Sequence, residues 1–339
     1  MKDALFGKTL DELTLLARER GLPSFAGKQL AEWLYKKPIA SIDDMSNLSK
    51  KARALLSEEF DLGIAFPDEH QESADGTKKY LFQALPGKFI ETAYIPEKTR
   101  HTVCVSSQVG CKMGCLFCMT GKQGFQGQLS ARDILSQYKG LPEWDKLTNI
   151  VYMGMGEPLD NLEEVLKSLE ILTADWGFAL SPRRITVSTI GLVPAMQSFL
   201  ERSEAHLALS LHSPFDEERR QLMPIQQVYP LKEVLDLVRS WDFGRQRRMS
   251  FEYIVFRDLN DSPAHAKELA RILQGIRCRI NLIRFHPIPG TPLAAPEEAT
   301  LQGFKDMLNA KGITTTIRAS RGQDIQAACG LLSTRRLLK

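Results

Sequence analysis

From residue 98 onward, short apolar segments alternate with amphipathic helical segments, and this alternation constrains the fold more than any other feature. Strands that alternate regularly with helices form a parallel sheet covered by those helices. Six strand–helix units fall short of the eight of a complete barrel, so the sequence predicts an α/β fold built on a partial (βα)6 barrel. The predicted strands are residues 101–107, 149–155, 184–190, 206–212, 250–256, 280–285 and 314–320.

The N-terminal segment has a different pattern, with short amphipathic helices. Thr9 and Glu12 match a capping box, which predicts the start of a helix that ends near Gly21. Helical spacing continues in residues 27–37 and 46–60. These segments predict a small helical accessory domain in front of the barrel.

A turn-rich link is predicted at residues 70–80, followed by a hairpin whose two strands are divided by Pro86 and Gly87. The predicted organisation is a helical accessory domain (1–75), a linking β-hairpin (76–97), the barrel core (98–330) and a basic tail (331–339).

Composition limits the class of protein. The chain has 339 residues, of which 43% are hydrophobic and 25% charged, as expected for a globular protein with a large core. We expect no membrane-spanning helix and no signal peptide, because long apolar runs are absent from the sequence. The six cysteines are therefore expected to be thiols, metal ligands or catalytic groups of a cytoplasmic protein rather than structural disulfides.

Polar and sulfur-containing residues cluster where the predicted strands end. The carboxyl ends of parallel strands meet at one edge of the sheet, where such folds place their active sites. The strands end in Cys111, Cys115 and Cys118, in Gly154–Pro158, in Ser188 and Thr189, in Ser210–His212, in His286, and in a segment that contains Cys329. We therefore expect one active site at this rim.

Three cysteines in a C-x3-C-x2-C pattern, Cys111, Cys115 and Cys118, indicate a metal site. Soft thiolates select zinc or iron–sulfur clusters. A cubane cluster usually has four cysteine ligands, so three would leave one iron open for a substrate or cofactor. The alternative is a zinc ion with Cys104 or a histidine as a distant fourth ligand, although the paired spacing typical of zinc sites is absent from the sequence.

The GMGEP segment, Gly154 to Pro158, contains glycines that would let the backbone approach a ligand at a strand end. Glu157 could accept hydrogen bonds from an ammonium group or a ribose. The alternative is an ordinary turn with a solvated glutamate.

Five segments together resemble the RlmN/Cfr family of the radical S-adenosylmethionine superfamily: CVSSQVGCKMGCLFCMTGKQGF, MGMGEPLDN, SLHSPFDEERRQLMPI, FEYIVFRDLND and DIQAACG. The resemblance covers nearly the whole chain. It implies a methyltransferase that acts on C2 of an adenosine in 23S ribosomal RNA and of the adenosine 3′ of the anticodon in some transfer RNAs. The segment TGKQGF (120–125) resembles the C2 enzymes more than the sister enzymes that methylate C8.

The resemblance also implies cofactors. Cys111, Cys115 and Cys118 would bind one [4Fe-4S] cluster, whose open iron takes the amino and carboxylate groups of S-adenosylmethionine. Two molecules of S-adenosylmethionine would be consumed per turnover. The residues implied to line this cofactor are Gly156, Glu157, Ser188, Ser210, Leu211, His212 and His286. The family often has asparagine where this chain has His286, and either side chain offers a donor and an acceptor.

Three catalytic residues follow from the resemblance. Cys329 would carry the methyl group, Cys104 would be its partner, and Glu91 would accept the C2 proton. A radical from the second S-adenosylmethionine would activate the methyl group for addition to C2. Attack by Cys104 on the Cys329 sulfur would then release the product and leave a disulfide. From the residues alone, Cys104 would be a small core residue and Glu91 a solvated strand charge.

The last expectations concern binding partners and alternative functions. The resemblance implies ribosomal and transfer RNA as partners, an electron donor such as flavodoxin with flavodoxin reductase, and a monomer. Lys36, Lys37, Lys50 and Lys51 are predicted to hold RNA phosphates, and other basic pairs, including Lys78 with Lys79 and Arg318 with Arg321, are weaker candidates. The alternatives are a C8 methyltransferase, a zinc-bound non-catalytic RNA-binding protein, and a radical enzyme with another substrate.

Overall fold

A computed structural model describes residues 2–244 and 249–325. Its strands are β1 (Asp3–Ala4), β2 (Phe60–Asp61), β3 (Glu69–Glu72), β4 (Lys78–Leu85), β5 (Lys88–Pro96), β6 (His101–Cys104), β7 (Gln108–Val109), β8 (Gly127–Gln128), β9 (Asn149–Tyr152), β10 (Ile185–Thr189), β11 (His206–Ser210), β12 (Met249–Val255), β13 (Cys278–Arg284) and β14 (Thr314–Ile317). Its α-helices are α1 (Leu10–Glu19), α2 (Ala26–Ala31), α3 (Lys50–Glu59), α4 (Met119–Lys122), α5 (Ala131–Lys139), α6 (Leu162–Thr173), α7 (Val193–Arg202), α8 (Asp216–Leu222), α9 (Leu231–Ser240), α10 (Pro263–Ile272) and α11 (Glu298–Ala310).

A ten-stranded sheet in the order β14-β13-β12-β11-β10-β9-β6-β5-β4-β3 forms the centre of the molecule. The strands β6 and β9 to β14 run parallel to one another, and β5, β4 and β3 extend the sheet in antiparallel fashion. All seven predicted barrel strands are present, with helices between them. The prediction of a partial (βα)6 barrel is confirmed.

The two faces of the parallel strands differ in polarity because successive side chains point to opposite faces. One face carries Val103, Ile150, Val187 and Phe251, which are buried in the main hydrophobic core together with residues of the covering helices. The opposite face carries polar side chains, which lie in register across neighbouring strands. They include Cys104, Ser188, Ser210, Glu252, Asn281 and Thr316.

The sheet curls around its polar face. Nη1 of Arg318, just after β14, lies 3.6 Å from Sδ of Met153, just after β9, although five positions in the sheet separate these strands. The polar face therefore lines an enclosed space, which we call the barrel interior.

One detail departs from the sequence predictions. The predicted turn is present at residues 73–77, but it joins two paired strands, β3 and β4, and His70 pairs with Tyr80 and stacks on its ring. The residues of β3 are polar because this strand forms an exposed edge of the sheet. The helix α7 has Pro194 in its first turn, where proline is tolerated because the amide there needs no helical partner.

The N-terminal helices pack against the outer helices of the barrel. Thr9 caps α1 through a capping box with Glu12, as predicted. The Tyr35 ring lies 5.4 Å from that of Phe178, in the segment that follows α6. The N-terminal segment therefore shares one hydrophobic core with the barrel.

Candidate active site

The loop that follows β6 and β7 carries the three cysteines at the rim of the barrel. Cys111 and Cys115 are buried and Cys118 is half-buried. They belong to an apolar cluster that is separate from the main core and draws residues from several strand ends. Its other fully buried members are Met113, Ile190, Leu222, Met223, Phe256, Phe285 and Ile288.

This apolar setting opposes ionisation of the two buried thiols. Burial raises the pKa of Cys111 to about 12, and it raises the pKa of Cys115 well above the ordinary value for cysteine. Thiolates at these two positions therefore require bound positive charge, which the irons of a cluster supply.

The arrangement of the thiols suits a cluster better than a single ion. Within residues 2–244 and 249–325, no three His, Cys, Asp or Glu side chains converge as they would on one metal ion. A cubane cluster does not need such convergence, because each thiolate binds a different iron. The three cysteines, on one short loop with an apolar shell, fit a [4Fe-4S] cluster.

Glu157 is held by hydrogen bonds at the end of β9. Its Oε1 accepts from Oγ1 of Thr189 at 2.6 Å, and its Oε2 accepts from the backbone N–H of Ile190 at 3.1 Å. The backbone N–H of Leu159 also donates to Oε1. Burial raises the pKa of Glu157 to about 7. The carboxyl group thus links the ends of β9 and β10. Glu157 is therefore not the solvated glutamate of an ordinary turn.

Gly156 has a positive φ of 100°, and a Cβ at this position would lie 2.5 Å from Cβ of Gln108. The side chain of Gln108 accepts from the backbone N–H of Glu157 at 2.8 Å. Any larger residue would separate the strand-end loop from β7. Glycine is therefore required here for close packing of the rim.

His212 connects the end of β11 with the cysteine loop. Its backbone φ of 57° lies in the left-handed region, and its Nδ1 accepts from the N–H of Ile254 at 2.9 Å. Its ring packs nearly perpendicular to that of Phe117, between Cys115 and Cys118, with centroids 4.8 Å apart. Burial lowers the pKa of His212 to about 3, so this side chain is neutral at physiological pH.

The remaining residues implied to line the cofactor lie on the same rim. Ser188 and Ser210 are half-buried on neighbouring strands, and Leu211 is fully buried. His286 is exposed after β13, and its Nε2 lies 3.1 Å from Oγ of Ser320. Partial burial and the neighbouring Arg284 lower the pKa of His286.

Cys104 and Glu91 face the barrel interior from adjacent strands. Cys104 lies opposite Ala93, and Glu91 lies two residues from Ala93, so all three share a face of the sheet. Burial raises the pKa of Cys104 to about 11, while the N–H of Met153 and the charges of Arg318 and Lys79 oppose that increase. Glu91 is not a solvated strand charge, because its side chain is only 3% exposed.

Lys79, Glu252 and Arg318 are charged residues of the interior whose roles the sequence did not indicate. Nζ of Lys79 lies 2.7 Å from Oε2 of Glu91, and its side chain is 1% exposed, so Lys79 is excluded as a surface contact to RNA phosphates. Nη2 of Arg318 lies 2.9 Å from Oε1 of Glu252. A charged residue at an alternate position of an apolar strand, as in SFEYIV, is the signal that could have indicated Glu252.

Cys329, the implied methyl carrier, lies outside the described residues. The five cysteines of the described part of the chain are free thiols. No helix in that part is long and apolar enough to cross a membrane.

Comparisons with known proteins agree with the fold and the cysteine loop. Residues 105–270 match the family model of the radical SAM superfamily. The structure resembles a radical SAM methyltransferase from Sphaerobacter thermophilus, with a TM-score of 0.91, 39% identity, and coverage of 97% of this chain and 98% of that one. The fold and the site define a radical SAM protein, a class that uses a [4Fe-4S] cluster and S-adenosylmethionine.

The relatives specify the family. A probable dual-specificity RNA methyltransferase RlmN from Parabacteroides distasonis is 58% identical over 98% of this chain and 97% of its own length. A dual-specificity RNA methyltransferase RlmN from Syntrophus aciditrophicus is 41% identical over 96% of this chain and 94% of its own length. Residues 4–62 match the model of the ribosomal RNA large subunit methyltransferase N-terminal domain. The chain belongs to the RlmN family.

Proposed function

We propose that this chain is a radical S-adenosylmethionine-dependent methyltransferase that methylates C2 of adenosine in 23S ribosomal RNA and of the adenosine 3′ of the anticodon in some transfer RNAs. The names of its relatives support an RNA methyltransferase with two substrates. The observation that carries the proposal is the position of Cys104, a half-buried thiol that faces the barrel interior together with Glu91. A cofactor site alone would not need a second thiol in that place.

Cys111, Cys115 and Cys118 would hold the cluster, and Gly156, Glu157, Ser188, Ser210, Leu211, His212 and His286 would surround S-adenosylmethionine. When bound, these cofactors supply radical chemistry that can act on an unactivated C–H bond. The apolar cluster around the cysteine loop excludes water from this region. Neutral His212 positions the loop through Phe117 without adding charge.

Cys104 would release the product by attacking the methyl-carrying Cys329. This attack requires a thiolate, and burial opposes its formation. The N–H of Met153 and the positive charges of Arg318 and Lys79 favour the thiolate. Glu91 would accept the C2 proton from its buried position beside Lys79.

The helical segment 1–75 would bind RNA. Lys50 and Lys51 are exposed in the first turn of α3, where they can reach phosphates. Lys37 pairs with Glu32 at 2.8 Å and lies over the ring of Trp33, while Lys36 donates to the backbone of Asp175, so both lysines already have partners within the protein.

We propose that the enzyme is a cytoplasmic monomer that receives electrons from flavodoxin and its reductase.

Transfer of a labelled methyl group tests the function. The cluster-loaded protein is incubated under anaerobic conditions with unmodified RNA, a reductant and methyl-labelled S-adenosylmethionine. We expect label in RNA with the wild type and none with Cys118→Ala, which lacks a cluster ligand. An active Cys118→Ala protein would contradict the assigned role of Cys118, and a wild type that contains stoichiometric zinc and labels no RNA would support the zinc-bound alternative instead.

A further inference from the structure

One carboxylate oxygen inside the barrel lacks a hydrogen-bond donor. Glu252 lies on β12 with a side chain that is 4% exposed. Its Oε1 accepts from Nδ2 of Asn281 at 2.8 Å and from Nη2 of Arg318 at 2.9 Å. Its Oε2 is buried and meets no donor within residues 2–244 and 249–325. An unsatisfied buried carboxylate oxygen is costly, which indicates a donor from a bound molecule.

The orientation of this carboxylate is fixed by its neighbours. Asn281 lies opposite Glu252 in the sheet, and Thr316 lies opposite Asn281. Oγ1 of Thr316 donates to Oδ1 of Asn281 at 3.0 Å, so the amide nitrogen of Asn281 faces Glu252. The two oxygens of Glu252 are therefore not equivalent, and Oε2 remains available to a ligand.

Arg318 places hydrogen-bond donors next to this acceptor. Its guanidinium has five N–H groups, and contacts within the described residues use two of them, to Glu252 and to Sδ of Met153. The side chain is 40% exposed, so further N–H groups are accessible. A free acceptor beside free donors complements the edge of adenine that presents the N6 amine beside N7.

The position of this pair relates it to the reaction. Arg318 touches Met153, whose backbone N–H donates to the thiol of Cys104. The N6/N7 edge of adenine lies on the opposite side of the base from C2. A base held by that edge would leave C2 free for chemistry.

We propose that Glu252 and Arg318 recognise the target adenine of the RNA, with Oε2 of Glu252 accepting from the N6 amine and Arg318 donating to N7. This inference rests on the proposed function and adds the residues that select the base. The competing occupant is the adenosyl group of S-adenosylmethionine, because Ser210 lies directly across the sheet from Glu252.

Substrate RNAs with an altered target base test whether Glu252 and Arg318 of the cluster-loaded enzyme recognise adenine. Glu252→Gln keeps an oxygen for Asn281 and Arg318 but presents a donor in place of Oε2. Wild type should use target adenosine about 10- to 100-fold better, in kcat/KM, than purine riboside, which lacks the amine. Glu252→Gln should lose this preference and gain activity on inosine, whose O6 is an acceptor. Glu298→Gln, which removes a surface partner of Arg284, should keep the wild-type preference.

A second variant, Arg318→Lys, keeps the proposal testable if Glu252→Gln does not fold. Wild type should lose about 10-fold in kcat/KM on 7-deazaadenosine, which lacks the N7 acceptor, and Arg318→Lys should lose that discrimination. Each result is a ratio between substrates within one protein, so it does not depend on the folded fraction.

The affinity for S-adenosylmethionine distinguishes the target adenine from the adenosyl group of the cofactor as the occupant of this site. Equilibrium dialysis should give the same affinity for Glu252→Gln and wild type within about 2-fold, because the pair does not hold the cofactor. A large loss of cofactor affinity with base preference retained would overturn the inference in favour of the adenosyl group. Unchanged base preference in both variants would also overturn it, while the proposed function would stand if wild type still methylates adenosine. A wild type that methylates no RNA would refute the proposed function itself, and the inference with it.

Discussion

Nζ of Lys79 lies 2.7 Å from Oε2 of Glu91, and both side chains are buried in the barrel interior. Lys79 is on β4 and Glu91 on β5, so the antiparallel hairpin holds the two charges together. Ala93 lies between Lys79 and Cys104 in register, and the charge of Lys79 opposes the rise in the pKa of the Cys104 thiol. The hairpin therefore supplies part of the active site and extends the sheet.

Lys79→Met should destabilise the protein strongly, because it removes the positive charge that Lys79 places 2.7 Å from the buried carboxylate of Glu91. Breaking a buried pair in this way typically costs about 3–5 kcal/mol. Urea denaturation measures the loss in the free energy of unfolding. Lys98→Met, an exposed lysine in the turn after β5, should cost little. The double variant Lys79→Met with Glu91→Leu should be more stable than Lys79→Met alone, and equal stability of the two would contradict the account.

Glu157→Gln should remove a pH dependence of stability. Burial raises the pKa of Glu157 from 4.5 to about 7, so the folded state favours the protonated carboxyl group. The stabilising contribution is complete below pH 4.5 and is lost as the pH rises through 7, by up to about 3 kcal/mol relative to the variant. Unfolding of the apoprotein in urea between pH 4.5 and 8 gives the difference. A difference between the two proteins that does not change with pH would show that folding leaves the pKa of Glu157 unchanged.

Cys104→Ala should trap the RNA on the protein, because no thiol would remain to attack the Cys329 sulfur. A denaturing gel of the anaerobic reaction would then show a covalent protein–RNA band and little free methylated RNA. Cys278→Ala is the matched control, since Cys278 is also half-buried and burial raises its pKa to about 11 as well. Clean turnover by Cys104→Ala would eliminate the role assigned to this thiol.

Replacing Lys50 and Lys51 with glutamine should weaken RNA binding and reduce its salt dependence. Each phosphate contact contributes about one unit to the slope of log K against log salt, so the double variant should lose about two. Filter binding at several salt concentrations measures this slope. The control replaces Lys232 and Lys267, which are exposed on the barrel helices α9 and α10. An equal effect of both pairs would argue against a specific RNA-binding role of the N-terminal segment.

The order of strands and helices in the barrel could be predicted because each element has a local sequence pattern of its own. The alternation of apolar segments with helical segments located the seven parallel strands, and Thr9 with Glu12 located the first helix. The strand β3 could not be predicted, because an exposed edge strand is polar and reads as a loop.

The candidate site was only partly predictable. Spacing alone indicated the cysteine loop, since its three ligands are close in sequence. The interior pairs join residues distant in the chain, such as Glu252 and Arg318, and depend on how the sheet curls. Local sequence carries no record of that curvature, so Lys79 and Arg318 read as ordinary basic residues.

The position of the methyl group on the RNA tests the central claim most directly. Unmodified 23S ribosomal RNA is incubated anaerobically with the cluster-loaded enzyme, a reductant and S-adenosylmethionine, and the product is digested with nuclease and mapped by mass spectrometry. The account predicts 2-methyladenosine at a single adenosine. A methyl group on C8, or none on any adenosine, would contradict it.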